Sequence, residues 1–573
     1  MSAPAVHRLA VFLALLLGAT GISSSGGVAS VAEPVSASAS ACKRTTAARN
    51  VAAPRHLRTI GTGETGWFAS PSLVDLDGDR RLEIVAPFYS TLVYTAGGKL
   101  LGKGTATRGR VYAPGVVADL DRDRRQEIVV GGNEGTVASY ELRGGTLKLE
   151  PGWPASTCSG GQCPEARGMA AADLDGDGRI EIVVTTTNTS DSGSQVYVFD
   201  AAGGLYRPQG APASAWPRYN RLPGPGNDAD FNGTGNRGYG AYGENVGIGN
   251  LDDDPQLEIV VTFDNHQINV FNHDGTSLLA SPWYRNRHSA HTGKRLGWGQ
   301  FIRWLDPKVE EAHYHRHTGE WPDINKTPWL QWTASPPSVA DLDRDGRNEV
   351  IGIPNVEQNE PYETQAYAFV VLDGAYGSGR RSAMRHNGFV RPPLSAKPAV
   401  RPDGDWYPPS GIPAPTIVDI SSDRRPEIVA AIPDGRIYAI SPTGKKLWSY
   451  DYARGAAKTF ASEVVAADLN RDGRPELVFG TYALTPDAGR LLVLSGSGKL
   501  LHDVRLPRQG TNGNGIGIAA APSIADVDAD GRLEIVVTTF DHGIDVFRVP
   551  GSGTNCLPWP TGRGGHLRAG SPG

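Results

Sequence analysis

The stretch ADLDGDGRIEIVVTT, residues 172–186, sets Asp173, Asp175, Asp177 and Glu181 within nine positions and then runs directly into β-branched residues. Four like charges this close repel one another unless a cation sits among them. Numbered from the first acid, oxygen-bearing side chains stand at positions 1, 3, 5 and 9, with the backbone carbonyl of position 7 also available. Alternate positions of a tight loop can point inward together. Hard oxygen donors in this number suit Ca²⁺, which accepts six to eight oxygens in loose geometry, better than Mg²⁺ with its strict octahedron. An EF-hand places its last carboxylate at position 12 and lies between helices; here position 12 is Val184 and the flank reads as strand, which excludes it. Asp and Gly are good turn residues in any loop, but a turn alone does not require glutamate at position 9.

The pattern recurs eight times. Loop 1 carries Asp75, Asp77, Asp79 and Glu83; loop 2 Asp119, Asp121, Asp123 and Glu127; loop 3 the four acids above; loop 4 Asn250, Asp252, Asp254 and Glu258. Loop 5 carries Asp341, Asp343, Asp345 and Glu349; loop 6 Asp419, Asp423 and Glu427, with Ser421 at position 3; loop 7 Asp468, Asn470, Asp472 and Glu476; loop 8 Asp526, Asp528, Asp530 and Glu534. Position 9 is glutamate every time. A short apolar stretch enters each loop, a Val/Ile-rich run leaves it, and a further strand often follows a turn, as in GRIYAISPTGK. Each repeat therefore predicts a small antiparallel sheet, which cannot bury both faces alone. Packing the sheets in a ring solves this, so the expected fold is an all-β propeller of seven or eight blades, the count depending on whether one blade is shared between the termini.

With its acid at position 9, its strand flanks and its repetition, the motif resembles the FG-GAP, or VCBS-type, repeats of integrin-like β-propellers over roughly residues 56–562. The resemblance implies Ca²⁺ in blade loops on one face, and the family occurs in adhesion receptors, lectins and some polysaccharide lyases. Departures qualify the carry-over. Position 6, where Gly eases a left-handed turn, is Gly178, Gly346, Gly473 and Gly531 but also Arg80, Arg124 and Arg424. At loop 4 it is Pro255, so that loop must bend differently. Ser421 removes one charge, making loop 6 the expected weakest calcium site.

The first residues read as a secretory signal: His7 and Arg8 precede LAVFLALLLGA, too short to span a bilayer, and small residues follow to about residue 32. Residues 33–55 read as linker, 56–562 as propeller with long insertions near 187–248 and 276–335, and 563–573 as a C-terminal tail. The expected location is extracellular or cell-surface, with no membrane span in the mature chain. Four cysteines in an exported chain are most simply two disulfides. Cys158 and Cys163 bracket a short flexible loop, and Cys42 and Cys556 then pair by elimination, tying the chain's beginning to its end. A net charge of −5 announces no basic surface for nucleic acid.

The longest insertion holds His288, His291, His313, His315 and His317 together with Trp298, Trp304, Trp321, Trp329 and Trp332. His313, His315 and His317 alternate, so an extended backbone would put three imidazoles on one face, a candidate second metal site with Glu311 or Glu320. The tryptophans are candidates for stacking on sugars, against the plainer role of fastening a long loop to its scaffold. No phosphate loop, nucleophile elbow or zincin helix is present, and no catalytic constellation can be assigned. The functional expectation is an exported calcium-binding module, monomeric, for a glycan or surface protein. The alternative is a polysaccharide-degrading, lyase-like enzyme on the same scaffold, drawing on His313, His315 or Lys294.

Overall fold

The computed structural model describes residues 42 and 50–572 except 189, 191–192, 208–243, 264–266, 281–296, 300–301, 303, 312–327, 333–334, 358–365, 378–384, 394–412, 457, 484–488, 508–514 and 555. The signal segment, His313, His315, His317 and Lys294 lie outside the described residues.

Each acidic loop joins the first two strands of one antiparallel sheet, so the sheets take the loops' numbers. The second strand begins at the position-9 glutamate in all eight, from Glu83–Pro87 in sheet 1 to Glu534–Thr539 in sheet 8. The pairing register is also common to all eight. The residue just before position 1 faces position 9, as Val74 faces Glu83 and Ala525 faces Glu534. A third strand follows in every sheet, and the second strands are buried along their whole length in keeping with their continuous apolar sequence. The only α-helix among the described residues is the single turn Pro307–Glu311. A ninth small sheet, built from Trp329–Gln331, Asn355–Glu357 and Ala366–Tyr367, accompanies sheet 5.

The sheets pack in chain order, and the succession closes on itself. First strands touch one another between sheets 2 and 3, 3 and 4, 4 and 5, and 5 and 6, and the first strand of sheet 1, Ser72–Val74, touches that of sheet 8, Ser523–Ala525. The Leu82 N–H also bonds the Val527 carbonyl across this junction at 2.9 Å. The outermost strand of sheet 8 comes from the chain's beginning: Arg55–Ile60 pairs antiparallel with Gly543–Arg548. Cys42 and Cys556 are bonded, with 5.5 Å between their Cα atoms, and Cys158 is bonded to Cys163. Both pairings match the sequence expectation.

The C-terminal tail begins earlier than the sequence reading placed it: residues 559–570 pack against the first strands. Its carbonyls accept hydrogen bonds in turn from Ala466 (to Trp559), Ile524 (Pro560), Val117 (His566), Ala171 (Leu567), Ile248 (Ala569) and Val339 (Gly570), at 2.8–3.0 Å. Each donor stands two residues before position 1 of its loop, so the tail reads one register position in sheets 7, 8, 2, 3, 4 and 5. The His566 imidazole bonds the backbone of Leu73, the same position in sheet 1. Arg568 is fully buried and donates to the carbonyls of Gly115 (3.0 Å), Gly562 (2.7 Å) and Pro71 (3.2 Å) and to the hydroxyls of Thr561 and Ser72. Burial pushes its guanidinium down to about 10, against the attraction of Glu244 and Glu463. Trp559, also fully buried, donates to Glu463 Oε1 at 2.8 Å.

The two disulfides should differ in worth. Cross-linking restricts the unfolded chain more as the closed loop lengthens, and the separations are 514 and 5 residues. Chain entropy then gives about 6 kcal/mol for Cys42–Cys556 and about 2 kcal/mol for Cys158–Cys163. Guanidinium unfolding of Cys42→Ser and Cys158→Ser should show the larger loss for the first.

Candidate metal centre

The eight loops are built by their own backbone. At position 9 the glutamate Oε2 accepts the N–H of position 2 in all eight, at 2.6–3.0 Å: Leu76, Leu120, Leu174, Leu251, Leu342, Ile420, Leu469 and Val527. Position 2 is always apolar because its side chain enters the core beneath the loop, where all eight residues are buried. At position 1 one carboxylate oxygen accepts the N–H of position 6 in every loop except loop 4, as Gly178 donates to Asp173 at 2.8 Å. Position 5 likewise accepts the N–H of position 7, as Arg179 donates to Asp177 at 2.7 Å.

Seven loops place positions 4 and 6 in the left-handed region. Arg80, Arg124 and Arg424 adopt φ of 73°, 75° and 71° where other loops have glycine, so the loop closure imposes on arginine the conformation that glycine takes freely. Loop 4 differs, as Pro255 requires. Neither Asp253 nor Pro255 has positive φ, proline has no N–H to give Asn250, and the Asn250 amide instead donates to the Asp254 carbonyl.

With one oxygen of these carboxylates held by the loop, the other is left facing its interior. Asp119 Oδ1, Glu127 Oε1, Asp173 Oδ1, Glu258 Oε1, Asp419 Oδ1 and Asp528 Oδ1 are buried and have no hydrogen-bond donor. Buried acceptors without partners are costly, and here they converge. In loops 1–4 the carboxylates of positions 1 (or 3 in loop 4), 3 (or 5) and 9 bring one oxygen each within 4.8 Å of the others: Asp75, Asp77 and Glu83; Asp119, Asp121 and Glu127; Asp173, Asp175 and Glu181; Asp252, Asp254 and Glu258. This donor set is all oxygen and mostly charged, and it fits a hard divalent cation. In loop 6 Ser421 hydrogen bonds Glu427 within the loop.

The electrostatics point the same way. Burial first, and the neighbouring aspartates second, push Glu83, Glu127 and Glu427 up to about 7, Glu181, Glu258 and Glu476 to about 8, and Glu349 to about 9. Glu534 is raised too, with Arg548 working against the shift.

Two participants that are not among the ligand positions of the repeat escaped the sequence reading. His386 Nδ1 lies 2.7 Å from Asp373 Oδ1 and 4.0 Å from Glu349 Oε1, so loop 5 has an imidazole at its edge. Arg122, at position 4 of loop 2, donates to the carbonyls of Asp177 and Gly178 in loop 3, both at 2.9 Å, and so joins neighbouring loops. Three tryptophans of the insertion take the plainer of the two roles the sequence offered. Trp298, Trp304 and Trp332 are 0–1% exposed in one apolar cluster with Ile268, Val270, Leu330 and Leu372. They fasten the insertion to sheets 4 and 5 and have no free face for a sugar.

In the metal-free protein each raised glutamate holds its proton more tightly folded than unfolded. Its stabilising contribution is complete below about pH 4.5 and is lost as pH rises through its folded value near 7 to 9. In chelator the melting temperature should therefore fall between about pH 5 and pH 8, and calcium should reduce that fall by taking the proton's place. Melts followed by circular dichroism across this range check it.

A family model for the FG-GAP-like repeat matches residues 119–184, from the first acid of loop 2 through the second strand of sheet 3. Among solved structures, similarity is found to the Vibrio cholerae biofilm matrix protein Bap1 (13% identity, 91% of this chain and 93% of that chain, TM-score 0.37). It is also found to BBS1N in complex with ARL6DN (10%, 88% and 98%, TM-score 0.39) and to the Dos1 propeller (10%, 85% and 79%, TM-score 0.34). No curated protein matches the sequence. The matched residues carry an FG-GAP-like repeat, and the same order of acidic loop and antiparallel strands is present in eight sheets.

Proposed function

We propose that the chain is an exported, calcium-binding propeller of eight blades that serves as a binding module for an extracellular glycan or protein. The observation that carries the calcium reading is the set of buried carboxylate oxygens turned into the loops with no donor to meet them. Bound there, Ca²⁺ would neutralise the acids of positions 1, 3, 5 and 9 and make rigid the loops that the backbone already pre-shapes. The protein's own part is positional: the position-9 glutamate anchors each loop to its second strand, and the position-1 acid holds the turn.

Strand direction separates the loops from the other end of the sheets. First strands run toward the acidic loops and second strands run away, so the turns between second and third strands lie at the opposite end, as do the residues re-entering each first strand. At that end the chain brings together Trp67, Phe68, Tyr112, Phe460, Tyr482 and Phe540 in edge and tilted ring contacts, with Arg110 stacked 4.4 Å over Trp67. Tyr112, Phe460, Tyr482 and Phe540 are buried and only Trp67 and Phe68 are partly exposed, so this end is closed by a packed aromatic cluster while the other end carries the acidic loops. Two disulfides accord with an extracellular protein, and among the described residues no helix is long and apolar enough to cross a membrane.

Chelation of the purified mature protein is expected to lower its melting temperature at pH 7.5, and an unchanged melt would remove the calcium reading. Incubation with a panel of polysaccharides, in calcium or chelator, should show retention on a polymer without shortening of its chains. Calcium-dependent shortening would replace the binding module with the degrading enzyme.

A further inference from the structure

Sheet register puts one residue of the third strand beside every position-9 glutamate. In sheets 2 and 5 it is Glu141 and Asp373, and continuing the ladder by one residue gives Thr95, Asp200, Asn272, Ser441 and Ser495 in sheets 1, 3, 4, 6 and 7, each a hydroxyl, amide or carboxylate. In sheet 8 it is Arg548, paired directly with Glu534. Its guanidinium is spread over the loop's own acids: Nε donates to Glu534 Oε1 at 2.8 Å, Nη2 to Asp528 Oδ2 at 2.5 Å, and Nη1 lies 3.1 Å from Asp530 Oδ2. Positions 3, 5 and 9 of loop 8 are thus met by one planar cation with its donors in a fixed fork. Asp526, at position 1, is taken up by the backbone, accepting from Asp530 and Gly531 at 3.0 and 2.8 Å. Asp528 Oδ1 alone stays without a donor.

A calcium ion in loop 8 would need the oxygens that Arg548 holds, and the two cations would stand within contact of each other. We propose that Arg548 is the resident cation of loop 8 and that this loop takes up no calcium under conditions that fill the loops lacking such an arginine. The inference rests on the calcium reading of the other loops. It singles out the one sheet in which both ends of the chain meet, since Arg548 also faces Arg55 of the N-terminal strand. Closure of the chain on itself would then be independent of calcium, while the remaining acidic loops respond to it. Loop 8 carries a full complement of acids and Gly531 at position 6, so its handicap is not written in the loop itself but across the sheet in Arg548.

The test counts bound ions on the full mature protein by equilibrium dialysis against calcium and by isothermal titration. Three proteins are compared: wild type, Arg548→Gln, and the double variant Asp528→Asn with Asp530→Asn. Arg548→Gln should bind one ion more than wild type, and the double variant the same number as wild type. A double variant that loses one ion, or an Arg548→Gln protein that gains none while wild type binds several, overturns the assignment of loop 8 and leaves the calcium reading of the other loops standing. Wild type and Arg548→Gln both binding none would overturn the two together. The double variant keeps the inference falsifiable if Arg548→Gln does not fold.

Discussion

One hydrogen bond, repeated eight times, sets the geometry on which the rest of the protein depends: the glutamate that opens each second strand accepts the N–H of the apolar residue at position 2. It joins the start of the loop to its end, so the loop cannot change length. It also sets the apolar side chain of position 2 into the core and a carboxylate above it. Since the residue before position 1 faces position 9 in every sheet, the same bond fixes strand register, and a one-residue slip would turn the buried second strand inside out. Loop chemistry and core packing are therefore one constraint. A glutamine at position 9 could keep the bond to position 2, but not the negative charge a cation would meet.

Burying that carboxylate has an electrostatic consequence. Three more acids stand within reach in most loops, and desolvation adds to their repulsion, so the metal-free fold holds protons that a free glutamate would release. Each loop has one of three ways out: a proton, a divalent cation, or a built-in positive side chain. Loop 8 shows the third in Arg548, and His386 beside Asp373 and Glu349 gives loop 5 a partial form of it. Sequence repetition thus hides chemical inequality, because neutralising groups come from positions that the repeat does not specify.

That difference explains what could be read in the sequence. The strands, the loop geometry and the Cys158–Cys163 bond follow from local pattern, since turn, alternation and close cysteine spacing act over a few residues, and Cys42–Cys556 follows because only two cysteines are then left. The odd bend of loop 4 was legible from Pro255 for the same reason. What the sequence concealed depends on distant register. Arg548 matters only through its cross-strand partner Glu534, and His386 only because the chain returns to Asp373. The tryptophans of the long insertion read as ligand platforms or, more plainly, as anchors, and burial supports the anchor role for Trp298, Trp304 and Trp332. Composition gave no sign that the glycine-rich last residues are interior, because their hold on the sheets is made by backbone carbonyls, to which side-chain identity contributes little.

Those last residues bear on how the succession of sheets stays closed. Stacked sheets present first strands whose inner N–H groups have no partner within their own sheet, and in six sheets the tail supplies one at the same register position. Arg568 then gathers carbonyls and hydroxyls from sheets 1 and 2 and from the tail itself, an arrangement affordable for a buried cation only because its donors are so fully used. The N-terminal strand in sheet 8 and the Cys42–Cys556 bond act at the same junction from outside. Three closures of different chemistry, covalent, strand pairing and axial backbone bonding, converge where the chain begins and ends, and none of them uses an acidic loop. The seam is thereby held by bonds that do not draw on the carboxylates of the acidic loops.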